Sequence, residues 1–475
     1  MNSTIDRLRK QIGTDRVVTD QSDIQPWLSD WRGLYHGAAL ALIEPRTTAE
    51  VAEVVRIARE TGTPLVPQGG NTSMVGGATP DSSGTALILS LRRLNTIRRI
   101  DRDARMAVVE AGVILQTFHE AAEAAGLRFP LTLGARGSAT IGGLISTNAG
   151  GTQVLRFGTM RGLVAGVEAV LPDGQIYDGL TALKKDNRGY DLTQLLIGAE
   201  GTLGVVTAAT LRLVPAASET ASAWIGVASP HRALDLLRSM EATSGAAIES
   251  FEIIPAHDLE LVLEHIPGTR RPVATPSAWH VLIDYVGHDA TARLTAMIED
   301  AAGRGLIEDA TIGANGAQAA AFWRIRDSIS EAERAAGPTL AHDIAVAVDA
   351  MPEFIESAGA TVEARFPGVT VSAFGHLGDG NVHFHVNAPK GTDAATWRSN
   401  PGAAISTLVY DLVTQAGGSI SAEHGIGQMK LDAFARTGGT ARLAALRAIK
   451  QGLDPHGLFN PGKLIPPLAP ATGAP

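Results

Sequence analysis

The run PQGGNTSMVGGATP, Pro67 to Pro80, constrains the fold more than any other part of the chain. Two Gly-Gly pairs, Gly69-Gly70 and Gly76-Gly77, bracket the polar segment Asn71, Thr72 and Ser73. The run follows an apolar stretch, Pro64 to Val66, that reads as a strand. Glycine reaches positive φ cheaply and lets backbone approach a ligand closely. Successive N–H groups in such a loop can point inward as an anion-binding nest. No Gly-Lys-Ser/Thr follows, and the spacing is not Gly-x-Gly-x-x-Gly, so neither a P-loop nor a Rossmann fingerprint is present. Alone, the run fits a phosphate loop and a tight structural turn equally well.

Two further patches tip that balance. GARGSATIGGLISTNAGGTQ, Gly134 to Gln153, again carries paired glycines, Gly142-Gly143 and Gly150-Gly151, with hydroxyls and amides between them. In IGAEGTLGVVT, Ile197 to Thr207, three glycines (Gly198, Gly201 and Gly204) precede a β-branched strand. Three such loops suit a long ligand lying across several of them, such as a dinucleotide.

PQGGNTSMVGG, IGGLISTNAGG and DNRGYDLTQLLIGAEGTLG, in this order, resemble the flavin-binding half of the vanillyl-alcohol-oxidase-type FAD enzymes. Within that group the chain resembles the D-2-hydroxyglutarate and D-lactate dehydrogenase branch, from about Glu44 to Leu464. The resemblance implies an α+β fold with a PCMH-type FAD domain over 1–215, a substrate-binding cap with the metal site over 216–428, and a helical C-terminal segment, 429–475. It also implies FAD contacts from Pro67, Gly69, Gly70, Asn71, Thr72, Met74, Val75 and Gly76 in the first loop. The second patch would add Gly134, Gly137, Ser138, Gly142, Gly143, Thr147, Asn148, Gly150 and Gly151. Glu200, Gly201, Gly204, Val205 and the C-terminal Asn460 complete the expected set.

The chain has no cysteine, which excludes disulfides, thiolate zinc sites and cysteine-ligated Fe–S clusters. Flavin linked through cysteine is excluded with them. Asn71 stands where some relatives carry a linking histidine nearby, so non-covalent FAD is expected. A net charge of −9 and no Lys/Arg cluster argue against a nucleic-acid partner. No apolar window reaches transmembrane length. The first residues, MNSTIDRLRKQIGTDRV, lack the apolar core of a secretory signal, which points to the cytoplasm.

Local patterns place the motifs. Thr47 with Glu50 makes a capping-box pattern, and Val51, Val54, Val55 and Ala58 continue at helical spacing until Gly62 and Pro64. MAVVEAG reads as a strand and Leu115 to Ala125 as a helix. A soft boundary falls at Pro215 to Thr220, Trp279 to Tyr285 reads as a strand, and the tail PPLAPATGAP is expected to fray.

In VSAFGHLGDGNVHFHVNA, Val371 to Ala388, strand-like flanks surround the turn signal GDGN. Pairing Leu377 with Val382 would set His376 opposite His383, with Cβ atoms about 4.5–5.5 Å apart, a spacing that suits two imidazoles on one metal ion. His385, two residues on, projects from the same face. Further on, SAEHGIG offers Glu423 as an oxygen ligand and His424 as a base, if Gly425 and Gly427 turn the chain there. The stretch Ala320 to Gly337 reads as one amphipathic helix with Trp323, Arg326 and Ser330 on a shared face.

By resemblance, His376, His383 and Glu423 take the positions of divalent-metal ligands, zinc or manganese, and His424 that of the catalytic base. Arg326 and Ser330 fall on positions that grip a substrate carboxylate. The implied reaction oxidises a small anionic D-2-hydroxy acid to the 2-oxo acid, with the hydride passing from C2 to flavin N5. Electrons would continue to an electron-transfer flavoprotein or a quinone. A homodimer is the default assembly. Two departures stand out. Relatives specific for D-2-hydroxyglutarate commonly carry a lysine where this chain has Ala341, and often an asparagine where it has His385. A missing cation and an extra imidazole weigh against the five-carbon diacid, and His385 becomes either a further ligand or a substrate contact. The competing readings are a glycolate- or alcohol-oxidising flavoenzyme, a flavin subunit of a multi-subunit oxidase and, more remotely, a non-redox flavoprotein of the ether-lipid-synthase type.

Overall fold

A computed structural model describes residues 2–181, 183 and 185–466. All but the first residue of the tail expected to fray lies outside them. Backbone contacts divide the chain into two units: Met1–Gly150 with Gly158–Ala216 and Glu423–Pro475, and Gly151–Phe157 with Ala217–Ala422. The first cut falls one residue from the expected boundary. The second falls ahead of Glu423 rather than at 428/429, so the last segment and the SAEHGIG turn belong with the Gly-rich loops.

In the first unit Ala41–Ile43, Leu87–Ser90 and Leu65–Gln68 run parallel, with Val17–Val18 antiparallel at one edge. Their near-continuous burial is what a parallel sheet covered on both faces demands. The helix Thr48–Thr61 connects two of these strands and buries Val51, Val54, Val55, Ile57 and Ala58. Thr47 caps it by accepting the Glu50 N–H, and Gly62 ends it at φ 64°. The reciprocal half of the box lands one residue early: Glu50 Oε2 accepts the Arg46 N–H at 2.7 Å. A second, antiparallel sheet runs Ile97–Asp101, Met106–Glu110, Val205–Arg212, Val164–Val170, Ile176–Asp178.

The last segment closes on the edge of the parallel sheet. The Leu65 N–H donates to Leu458 O and Leu65 O accepts from the Asn460 N–H, both at 2.8 Å. From the helix Thr440–Leu453, Lys450 Nζ reaches Thr202 O at 2.7 Å and Phe459 O at 2.9 Å.

The second unit is built on one antiparallel seven-stranded sheet. Its strand order is Asp309–Ile312, Thr220–Val227, Trp279–Val286, Ile248–Pro255, Thr370–His376, Asn381–Asn387, Thr339–Ala345. Strand alternation gives the sheet two different faces. Ile225, Ile253, Val281, Ala373, Val382 and Phe384 lie in one apolar core with side chains of the helices Pro230–Ser244, Ala290–Gly303, Met351–Arg365 and Gly402–Gln415. Trp224, Ile254, Leu282 and Phe374 belong to the opposite face and pack with Leu259, Phe322, Ile325 and Ile329. The site residues line this second face.

Two local expectations are corrected. The stretch 320–337 is not one helix but two, Gly316–Asp327 and Ile329–Ala336, broken at Ser328 (φ −87°, ψ −3°). Asp327 and Ser328 are weak helix formers that favour termini, so the shared face inferred for Arg326 and Ser330 does not carry across. In the hairpin, His376 pairs with Asn381 and Phe374 with His383. Asn381 acts as a strand residue rather than the end of the turn. Its N–H donates to Asp379 Oδ1 at 3.0 Å, and its Nδ2 to Asp343 Oδ1 and Ile344 O, each at 3.0 Å. Gly375 makes this register feasible, since a Cβ there would lie 2.3 Å from Asn381 O.

Candidate active site

The register slip is two residues, an even number, so no side chain changes face. His376 and His383 are diagonal rather than opposite, with ring centroids 5.3 Å apart at 76°. His385 follows on the same face, 6.4 Å from His383 between centroids. Each neighbouring strand adds to the row. Glu252 pairs with His376, Asp343 with His383, and both Ala341 and Ser372 with His385.

Glu252 is fully buried in the strand IESFEIIP. Its Oε1 lies 2.5 Å from His376 Nδ1 and its Oε2 accepts from Arg326 Nε at 2.8 Å. Burial alone would raise its pKa, yet His376 and Arg326 together hold it below the ordinary glutamate value. Arg326, expected on a substrate carboxylate, thus commits one N–H of its fork to Glu252 and stacks over Phe374, 5.4 Å from the ring centroid. Ser330 is half-buried on the following helix.

Burial first, then the Arg326 guanidinium beside it, pushes His383 well below the usual histidine pKa, which favours the neutral imidazole that can ligate a metal. His376 has its Nδ1 held by the Glu252 carboxylate. A carboxylate that fixes one ring nitrogen while the other ligates is the usual outer partner of a metal-bound histidine. The donor set fits a divalent ion. His385 Nδ1 lies 2.6 Å from Glu333 Oε2, and Glu333 Oε1 accepts from Asn387 Nδ2 at 3.3 Å. Ser372 Oγ donates to the buried Asp258 at 2.7–2.8 Å.

Glu252, Glu333 and Asp343 were not read from the sequence. The signal for Glu252 was present: with Glu249 it is one of two carboxylates in the short run IESFEIIP, whose other residues are apolar apart from Ser250. Glu333, on the amphipathic helix, gave no comparable sign.

In the first unit the Gly-rich patches touch at backbone distance. A Cβ on Gly69 would lie 2.3 Å from Thr140 Oγ1, one on Gly70 would lie 2.0 Å from Ser138 O, and one on Gly142 would meet Ala111 at 2.6 Å. Asn71, Asn148, Glu200 and Asn460 adopt left-handed backbone (φ 57°, 51°, 49° and 43°), as does Gly76. Gln68 Oε1, Asn71 Oδ1, Thr140 Oγ1 and Asn460 Oδ1 are buried and take no hydrogen bond among the described residues. Buried polar atoms of this kind call for a polar ligand, and backbone-tight loops lined by them fit FAD. Gly143 and Thr147 lie in and just after the short helix Ile141–Ser146, and Val205 opens the strand that follows Gly204. Pro67 packs 3.1 Å from the Cβ position of Gly201. Thr72, Met74 and Val75 continue the first loop, and Gly134, Gly137 and Gly150 lie in the same unit. Gly151 instead opens the short segment that packs in the second unit, where Arg156 pairs with Glu249 at 2.6 Å.

Glu423 and His424 open the last segment of the first unit. The expected turn is present, with Gly425 at φ 81° and Gly427 at φ 51°.

Comparison with known proteins agrees with this architecture. Residues 216–464 match the family described as FAD linked oxidases, C-terminal domain, and 39–179 match FAD binding domain. The chain belongs to the FAD-linked oxidases. It is an FAD-dependent oxidoreductase. D-2-hydroxyglutarate dehydrogenase, mitochondrial, of Bos taurus is 37% identical over 95% of this chain and 81% of its own length. The corresponding Arabidopsis thaliana protein is 34% identical over 96% and 80%. D-2-hydroxyglutarate dehydrogenase of Xanthomonas citri pv. viticola is 36% identical over 96% of both chains. Among solved structures, p-cresol methylhydroxylase with substrate bound matches with TM-score 0.75 at 16% identity, over 98% of this chain and 97% of that one. An alkyldihydroxyacetonephosphate synthase also reaches 0.75, at 15% identity over 98% and 86%. A methylhydroxylase and a synthase on one architecture show the fold alone. Among the described residues no helix is long and apolar enough to cross a membrane.

Proposed function

We propose that this oxidoreductase is a divalent-metal-dependent dehydrogenase that converts a D-2-hydroxy acid to its 2-oxo acid and passes electrons to a flavoprotein or quinone. The observation that carries the reading is the row Glu252, His376, His383, His385 and Asp343 on one sheet face, in a chain whose relatives are named D-2-hydroxyglutarate dehydrogenases. His376 and His383 are the proposed nitrogen ligands and Glu423 the proposed oxygen ligand of a zinc or manganese ion. When bound, that ion lowers the pKa of a substrate hydroxyl, and FAD accepts the hydride. His424 removes the hydroxyl proton as general base. Arg326, oriented by Glu252, holds a carboxylate oxygen of the acid, with Ser330 beside it. The flavin lies along the three Gly-rich loops and Asn460, held non-covalently.

The acid itself is narrowed by His385, where an imidazole anchored on Glu333 stands opposite Ala341. A side chain shorter than lysine there suits a shorter hydroxy acid. A further relative is named a putative D-lactate dehydrogenase of Schizosaccharomyces pombe, 31% identical over 94% of this chain.

The test is anaerobic mixing of the purified flavoprotein with D- and L-2-hydroxy acids while the flavin absorbance is followed. Bleaching by D acids alone is expected. No bleaching by any acid, with flavin and metal both present, would overturn the reading.

A further inference from the structure

The family resemblance places Glu200 among the flavin contacts, but its carboxylate is engaged with the protein's own backbone. Its Oε1 accepts the Ile426 N–H at 2.8 Å and its Oε2 accepts the Gly427 N–H at 2.7 Å. These amides lie two and three residues beyond His424. Because Gly425 and Gly427 are both left-handed, successive N–H groups of the turn point one way and form a nest for an anion. Here the anion is the protein's own carboxylate.

The backbone that presents Glu200 is fixed independently. Glu200 is itself left-handed, a conformation unfavourable for a residue with a Cβ and sustained only where the surroundings over-determine it. Its N–H donates to Ser146 O at 2.8 Å, and its carbonyl accepts from Asn460 Nδ2 at 2.7 Å. The same Nδ2 donates to Gly77 O at 2.9 Å. The second Gly-rich patch and Asn460, itself tied to the first loop, therefore hold Glu200, and Glu200 holds the turn.

The fit leaves no slack on either side of the turn. A Cβ on Gly425 would lie 2.6 Å from Glu200 Oε1, and one on Gly427 would lie 2.2 Å from Val75 O. Gln428 continues the clamp: its N–H donates to Val75 O at 3.1 Å and its Nε2 to Gly76 O at 2.9 Å.

We infer that Glu200 is a positioning residue for the turn carrying Glu423 and His424, coupling the geometry of the proposed base and metal ligand to the flavin loops rather than contacting flavin through its carboxylate. The catalytic consequence rests on the reading of His424 as base; the structural one does not. A displacement of about 1 Å at a reacting group can slow catalysis about 100-fold, so a residue that fixes the turn has a kinetic role without touching substrate.

Glu200→Gln tests the coupling. The amide keeps one acceptor and sets an N–H donor against a backbone N–H, so one bond of the pair is lost and a donor faces a donor. In the flavin-loaded holoprotein, hydrogen exchange of the peptide spanning 423–430 should accelerate at least about ten-fold, with FAD content retained. Flavin reduction by substrate should slow about 100-fold at saturating acid. Should the amide variant not accumulate as folded flavoprotein, Glu200→Asp keeps both acceptors but withdraws them by one methylene, and the same exchange readout applies. Wild-type protection of the 423–430 amides would overturn the inference. So would loss of FAD with that protection intact, because Glu200 would then serve the flavin. Exchange needs no substrate, so failure of the coupling is distinguishable from failure of the dehydrogenase reading.

Discussion

Ala341 and His385 stand directly opposite each other on adjacent antiparallel strands. Two departures that look unrelated in sequence, 44 positions apart, are therefore one change in one place. A small residue on one strand leaves room for an imidazole on the next, and Glu333 takes the imidazole's Nδ1. A site that trades a long lysine on one strand for an imidazole on the next changes the length of acid it matches, not the chemistry it performs.

Exchanging both residues together should move the preference. For Ala341→Lys with His385→Asn, the ratio of kcat/KM for D-2-hydroxyglutarate to that for D-lactate should rise about ten-fold or more, since a single charged contact is worth a few kcal/mol in discrimination. The single variants should do less than the pair, because cross-strand partners do not act additively. An unchanged ratio in the double variant would remove this pair from the specificity determinants.

Glu252 should be felt in metal binding. Glu252→Gln keeps a hydrogen-bonding partner for His376 but withdraws the charge, and affinity for zinc should fall about 10–100-fold. Competition against a chromophoric chelator reads this without turnover. Affinity equal to wild type would mean that Glu252 serves only to balance Arg326.

His424→Ala should leave FAD bound and slow flavin reduction by about 10²–10⁴-fold, the range general-base catalysis supplies. Reduction at the wild-type rate would remove His424 as base.

Asp284 gives a pH-dependent stability prediction. Burial pushes its pKa up to about 6, although Ser222 and Trp323 both donate to it. The folded value lies above the unfolded one, so its contribution to stability is full below about pH 4 and is lost as pH rises through about 6. Asp284→Asn should therefore raise the melting temperature at pH 8, where the buried charge costs up to about 3 kcal/mol. The advantage should shrink at pH 5. A melting difference that is the same at both pH values would show that the aspartate titrates normally.

Sequence reading succeeds where chemistry is written in consecutive residues. The capped helix Thr48–Thr61, the strand Trp279–Val286 and the turn at Gly425 are local patterns. It falls short where a partner lies far along the chain. Nothing near His376 announces Glu252, 124 positions earlier, because strand order rather than strand pattern brings them together. GDGN looks like the turn of its hairpin, yet Asn381 is drawn into the strand by Asp343 and Ile344 on a third segment. The histidine row remained legible because faces are conserved by any even slip, so parity mattered more than the exact partner.

The closing strand contact of the last segment has a consequence for biosynthesis. Translation completes the whole of 217–422 before it reaches the residues that pair with Leu65 and clasp Glu200. The second unit can mature while the nascent chain is still attached, since domains fold as they emerge. The first unit must wait with an open sheet edge and an unsatisfied carboxylate until its last residues leave the ribosome. A chain interrupted near Ala422 would keep every Gly-rich loop and still lack the piece that locks them, leaving a pairing edge exposed to its neighbours.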